Sequence, residues 1–197
     1  MMDSKFIYEF SSQKTDGDAS LSNLLGGKGA NLAEMSKLGI QVPPGFTITT
    51  EACNYFSKNK KLPDGLKEEI INYVSNLETL SQKSFGNSES PLLLSVRSGG
   101  MISMPGMMDS ILNIGLNDYN VQSLAKAFND ERFALDSYRR LIQMYSNVVL
   151  GVAMDRFEAV IANKKRMDNV TSDADFNIDQ LDWIINAYKN TVERFTN

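Results

Sequence analysis

From residue 121 onward the sequence holds one glycine, Gly151, and its apolar residues recur at helical spacing. A stretch of that kind folds as amphipathic helices packed on one another. The spacing predicts helices over 121–128, 131–152, 155–167 and 179–195. On the second of these it places Phe133, Tyr138, Leu141, Ile142, Tyr145, Val148 and Val149 inward. Before residue 116 the pattern differs, with short β-rich runs, helical stripes and glycine-bearing turns alternating. The expected fold class is therefore α+β, with an α/β subdomain over 1–115 and an all-helical subdomain over 116–197.

Within the first part, KFIYEF (5–10) reads as a short strand and residues 11–23 as a loop. A helix is expected from Lys28 or Gly29 to about Leu38, on the stripe Leu32, Met35 and Leu38. Gly39 suits a left-handed C-terminal cap, with apolar Ile40 after it. Val42-Pro43-Pro44-Gly45 forms a rigid turn, and 46–49 a second strand. A short helix from Thr50 follows. Pro63-Asp64-Gly65 then opens an amphipathic helix, with Leu66, Ile70, Tyr73, Val74, Leu77 and Leu80 on its inner face. The apolar run 91–96 reads as a strand buried on both faces.

Two places carry chemistry. The first is LLGGKGANLAEM (24–35), where Lys28 stands among Gly26, Gly27 and Gly29 just ahead of a helical stripe. It is not a P-loop, because Ser22 stands where the first glycine is required and Gly29 where a hydroxyl is required. Glycines still let backbone amides approach an anion, a helix N-terminus favours one, and lysine adds a mobile charge. A glycine-rich turn with a solvated lysine fits the same letters. The second place is LLLSVRSGGMISMPGMMDS (92–110). There Arg97 ends a strand and enters a loop bearing Gly99, Gly100 and Gly106, with Met101, Met104, Met107 and Met108. Arginine offers a planar fork to phosphate oxygens, and a methionine-rich loop can repack around a flat ligand. Methionines tucked into a local core fit the same pattern.

Other features exclude functions. Histidine is absent, so this chain holds no histidine base, zinc ligand or phosphohistidine. The net charge of −4 argues against a general nucleic-acid binder. One cysteine, Cys53, rules out an internal disulfide. No run reaches transmembrane length and no signal core opens the sequence, so a cytoplasmic location away from membranes is expected. Asp173, Asp175 and Asn177 imitate the start of a calcium loop, but Ile178 replaces its glycine and Ile184 its final glutamate. That leaves a polar linker over 168–177. Lys164-Lys165-Arg166 complements a helix C-terminus, and Trp183, beside Ile184 and Tyr188, suits core or interface packing.

Taken together, LLGGKGANLAEMSKLGIQVPPGFTITTEAC, LLLSVRSGGMISMPGMMDSILNIGLND and RFALDSYRRLIQMYSNVV resemble the N-terminal nucleotide-binding region of the pyruvate, phosphate dikinase family. The resemblance runs from about Phe6 to Val149 and more loosely to the end. Phosphoenolpyruvate synthases share the GGKGANL and VRS elements but not SMPGMMD. The resemblance implies part of an ATP-grasp fold followed by an accessory helical subdomain. It implies ATP as ligand and magnesium as its companion. The reaction implied is interconversion of ATP, phosphate and pyruvate with AMP, pyrophosphate and phosphoenolpyruvate. By motif, Lys28 corresponds to a lysine contacting the nucleotide phosphates and Arg97 to a phosphate-binding arginine. Residues 103–109, with Gly106, Met107, Met108 and Asp109, correspond to a glycine-rich loop closing over the phosphates. Gly100-Met101-Ile102 departs from relatives that carry alanine, and sometimes a second arginine, there.

The family's proteins are much longer. Their acidic metal ligands, phosphohistidine domain and pyruvate barrel correspond to nothing in these residues, so no metal ligand and no catalytic residue is assigned. The chain is expected to be catalytically incomplete alone, with the phosphohistidine and pyruvate domains as partners in a full-length enzyme. A half-built ATP-grasp sheet exposes an edge, so self-association into a homo-oligomer is also expected. The competing expectations are a stand-alone, non-catalytic nucleotide- or partner-binding remnant and a piece of a different ATP-grasp phosphotransferase.

Overall fold

The computed structural model describes residues 5–99 and 109–196. It is α+β: seven α-helices and three two-stranded sheets lie among the described residues. They fall into two compact units. One runs from the N-terminal side to Gln82 and includes Ser98 and Gly99; the other comprises Lys83–Arg97 and the chain from Asp109. The change of style near residue 116 thus falls inside the second unit.

In the first unit, β1 (Ile7–Phe10) pairs antiparallel with β2 (Gly45–Ile48), with Ile7 opposite Ile48 and Phe10 opposite Gly45. Helix α1 (Ser22–Lys37) lies against both strands and against α2 (Thr50–Asn59). It begins six residues earlier than the stripe of apolar residues implied. Ser22–Leu25 form a first turn, and Gly26, at φ 68° and ψ 161°, breaks the helix before it resumes. That conformation is open to glycine and costly for any other residue. Gly39 takes the expected left-handed cap at φ 75°. The Ile40 amide donates to Met35 and the Gly39 amide to Ser36, which satisfies two terminal carbonyls. Leu66 and Leu77 of α3 (Leu66–Ser81) are buried and Ile70, Tyr73 and Val74 half-buried, but Leu80 is exposed. The last turn of α3 outruns what packs on it. Ile7, Ala52 and Leu66 centre the core, with Phe6, Phe46, Ile70 and Tyr73 around them.

A strap of loop runs beside α1. Asp18 caps the 3-10 turn Ala19–Leu21 through the Ser20 amide, and Lys37 Nζ reaches Asp18 Oδ2 at 2.8 Å. The Lys37 ammonium, with the Ser20 hydroxyl and amide, holds the Asp18 carboxyl down to about 2. A depressed carboxyl contributes stability above its unfolded pKa and loses it as pH falls through its folded one. The latch should therefore persist at pH 4 and open toward pH 2. An NMR titration of the Asp18 carboxyl should show a midpoint near 2, whereas a midpoint near 3.8 would mean the pair does not form.

In the second unit, β3 (Ser84–Phe85) pairs parallel with β4 (Pro91–Leu92), and β5 (Leu94–Arg97) antiparallel with β6 (Ser110–Ile114). The run 91–96 is thus two short strands, not one. It is not buried on both faces either: Leu92 is buried, but Val96 is 53% exposed. A continuous apolar run signals burial only where layers cover both sides, and here the hairpin is covered on one.

Helices α4 (Val121–Phe128), α5 (Glu131–Val148), α6 (Met154–Asp168) and α7 (Ile178–Thr196) complete this unit. Helix α5 is central and packs on α4, α7 and β6. Ala134, Leu135, Tyr138 and Leu141 face the core with Phe157, Phe176, Leu181, Ile184 and Tyr188. Ile142 is partly buried, but Phe133, Tyr145, Val148 and Val149 are exposed. Phe133 instead meets the Phe128 ring, tilted at 52° with centroids 5.2 Å apart. Tyr145 and Val148 share the inner stripe by phase, yet lie in the last turns where the described residues leave the helix uncovered. Among the described residues no helix is long and apolar enough to cross a membrane.

Candidate phosphate-binding site

Lys28 stands two residues past the Gly26 break, half-buried, on the first turn of the resumed helix. Its Nζ donates to the Ser98 carbonyl at 3.3 Å, across 70 residues of sequence. Both residues belong to the first unit. The three glycines have different reasons. Gly26 supplies the positive φ. A side chain on Gly29 would collide, because its Cβ would lie 2.7 Å from Thr47 Cγ2 and 2.8 Å from Thr47 Oγ1. A Cβ on Gly27 would meet nothing, so packing does not demand glycine there.

Arg97 ends β5 in the second unit, exposed, with Ser110 opposite it in the ladder. Asp109 immediately precedes that partner and is also exposed, so the hairpin brings Arg97 and Asp109 to one end. Lys28 lies in the other unit. Gly106, Met107 and Met108 fall outside the described residues. Sequence reasoning missed the Ser98 carbonyl, since a backbone acceptor leaves no mark in the letters. It also missed the packing role of Thr47.

Among the described residues no group of three or more Cys, Asp or Glu side chains could hold a metal ion. A cavity of about 340 Å³ does open in the second unit between α5 and α6. Its cations are already engaged: Lys165 Nζ lies 2.6 Å and Arg139 Nη2 3.8 Å from the Asp173 carboxylate.

Comparison with known proteins bears on the chain as a whole. A family model described as pyruvate phosphate dikinase, AMP/ATP-binding domain, matches residues 22–84, which include Lys28. The pyruvate, phosphate dikinase of Clostridium symbiosum is 48% identical over 186 residues, covering 94% of this chain and 21% of that protein. That of Rickettsia conorii is 45% identical over 193 residues, 98% of this chain and 22% of the relative. The chloroplastic pyruvate, phosphate dikinase 1 of Arabidopsis thaliana is 46% identical over 186 residues, 94% of this chain and 19% of the relative. The chain spans about a fifth of the length of the curated relatives it matches. Over nearly its whole length the chain is similar to the N-terminal regions of pyruvate, phosphate dikinases, and over residues 22–84 to their AMP/ATP-binding domain.

Proposed function

We propose that this chain supplies phosphate-binding residues to the ATP site of a pyruvate, phosphate dikinase of ATP-grasp type. Such an enzyme converts ATP, phosphate and pyruvate to AMP, pyrophosphate and phosphoenolpyruvate. Phosphoryl transfer is governed by positioning and electrostatic stabilisation. Lys28 provides a point charge beside the amides of a resumed helix, and Arg97 a planar fork. By motif, Gly106, Met107, Met108 and Asp109 add to the phosphate-binding residues. Magnesium accompanies the nucleotide, held by residues outside this chain. With no histidine in its sequence, the chain leaves phosphoryl acceptance and the pyruvate step to a phosphohistidine domain and a pyruvate domain. It is inactive alone, and it works in the cytoplasm.

The observation that carries this reading is Lys28, set two residues past a glycine-only break and tied to the carbonyl of Ser98, within the second motif. The test uses an ATP analogue with a reactive acyl group on its terminal phosphate, which acylates lysines beside that phosphate. Labelling should concentrate on Lys28 and be blocked by excess ATP. Labelling spread over surface lysines regardless of ATP would defeat the proposal. The same protein should give no phosphoenolpyruvate-forming or ATP-forming turnover.

Self-association is part of the proposal. Among the described residues each strand pairs with one other strand, single bridges add only Phe10 with Thr15 and Ile114 with Leu116, and Val96 and Leu112 of the β5–β6 hairpin are exposed. Open edges with apolar side chains pair readily. Sedimentation should show mass rising with concentration, and a monomer throughout a wide concentration range would refute this.

A further inference from the structure

Helix α1 is held on both sides of its break by one short segment, the end of β2 and the start of α2. Before the break, Thr50 Oγ1 donates to the Asn23 carbonyl at 2.8 Å. After it, the Thr47 side chain fills the space a Cβ at position 29 would need. Between them Thr49 is buried. Its amide donates to the Phe6 carbonyl at 2.9 Å, and its hydroxyl accepts from the Ala52 amide at 3.3 Å and caps α2. The segment is thereby fixed to β1 and to α2, and it is rigid enough to act as a template.

We propose that Thr47 and Thr50 are positioning residues for Lys28. A glycine such as Gly26 is free to take many backbone conformations. Left alone, a helix broken at that glycine would let the Lys28 backbone wander. Thr50 ties down the turn before the break and Thr47 the turn after it. The window between them is five residues, 24–28, with the break in its middle. Neither threonine touches the anion, and each acts through the path of α1. Placement within about 0.5 Å is what a preorganised phosphate contact needs. The same arrangement explains two of the three glycines in GGKG: Gly26 makes the break, and Gly29 allows α1 to sit directly on Thr47. The inference rests on Lys28 serving a nucleotide phosphate.

The test titrates ATP calorimetrically into the full chain and into Thr50→Val, Gly29→Ala, Thr47→Ala and the pair Gly29→Ala with Thr47→Ala. Amide hydrogen exchange over residues 22–30 is followed in each. Gly29→Ala should weaken ATP binding at least tenfold. The pair should recover to within about threefold of the unaltered chain, because removing the Thr47 branches relieves the collision. Thr50→Val should weaken binding three- to tenfold and speed exchange at 22–30 while leaving exchange in α3 and α5 unchanged. A pair no better than Gly29→Ala, or Thr50→Val with unchanged binding and exchange, overturns the proposal. If Gly29→Ala does not fold, Thr50→Val decides, since its hydrogen bond is exposed. If the unaltered chain ignores ATP, or Lys28→Ala binds as well, the phosphate reading fails. The positioning of Lys28 is then read from exchange alone: faster at 22–30 in Thr50→Val supports it, unchanged rejects it.

Discussion

Replacing Asp136 by alanine will destabilise the second unit by about 3–5 kcal/mol, the usual cost of leaving a buried charge without its partner. The charge is Arg139, whose side chain is 4% exposed. Its Nε and Nη2 donate to Asp136 Oδ1 at 2.9 and 2.7 Å, and its Nη1 to Gln143 Oε1 at 3.3 Å. Burial works against the guanidinium charge, but the Asp136 carboxylate, with help from Tyr188, more than offsets it and holds the group above its ordinary pKa. Without Asp136, the ion pair left to Arg139 among the described residues is the longer one to Asp173, at 3.8 Å. Arg140 also contacts Asp136, at 2.8 Å, but is 60% exposed. Arg140→Ala should therefore cost about 0–1 kcal/mol. Urea unfolding followed by circular dichroism measures both. Exchanging Arg139 for Met and Asp136 for Leu together should recover most of the loss. A loss below about 1 kcal/mol for Asp136→Ala would mean water reaches Arg139 in solution.

Phe157→Ala should cost about 3–5 kcal/mol as well, through the cavity it leaves. Phe157 is fully buried and meets the equally buried Tyr188 edge-on, with ring centroids 4.8 Å apart and planes at 70°. Such a pair adds to the area its rings bury. Helices α5, α6 and α7 share this core, so the hole cannot close without moving a helix. Phe157→Leu, which keeps part of the volume, should cost clearly less. Equal losses for the two variants, again from urea unfolding, would show that the ring pair and cavity are not what matters.

How much of this was legible in the letters depends on the residue. Periodicity located α3, α4 and α7, and Gly39 announced its cap, because helical phase and left-handed backbone leave direct marks in a sequence. Phase does not say whether a neighbour covers a position. Leu80, Phe133, Tyr145 and Val148 were therefore expected inward and lie exposed. The strand at 91–96 failed for the same reason, since Val96 has no second layer over it. Arg139 shows the reverse case: an arginine on an inner stripe reads as a surface residue until Asp136 and Gln143 are seen around it. The linker at 168–177 was read as merely polar. Its Asp173 in fact receives Lys165, and its carbonyls at Asp173 and Phe176 accept from Arg132. At the candidate site, Lys28 and Arg97 could be named from motif. The break at Gly26, the Thr47 wall against Gly29 and the Ser98 carbonyl could not, because each depends on which distant backbone comes alongside.

The central claim is that this chain carries phosphate-binding residues for ATP. The most direct test is calorimetric titration of ATP, with and without magnesium, into the chain and into Lys28→Ala and Arg97→Ala. Charge-assisted hydrogen bonds contribute about 1.5–3 kcal/mol each. Saturable binding that each substitution weakens by roughly 10- to 150-fold, with folding unchanged, is the predicted result. Absence of binding by folded protein, or binding indifferent to both substitutions, would contradict the account.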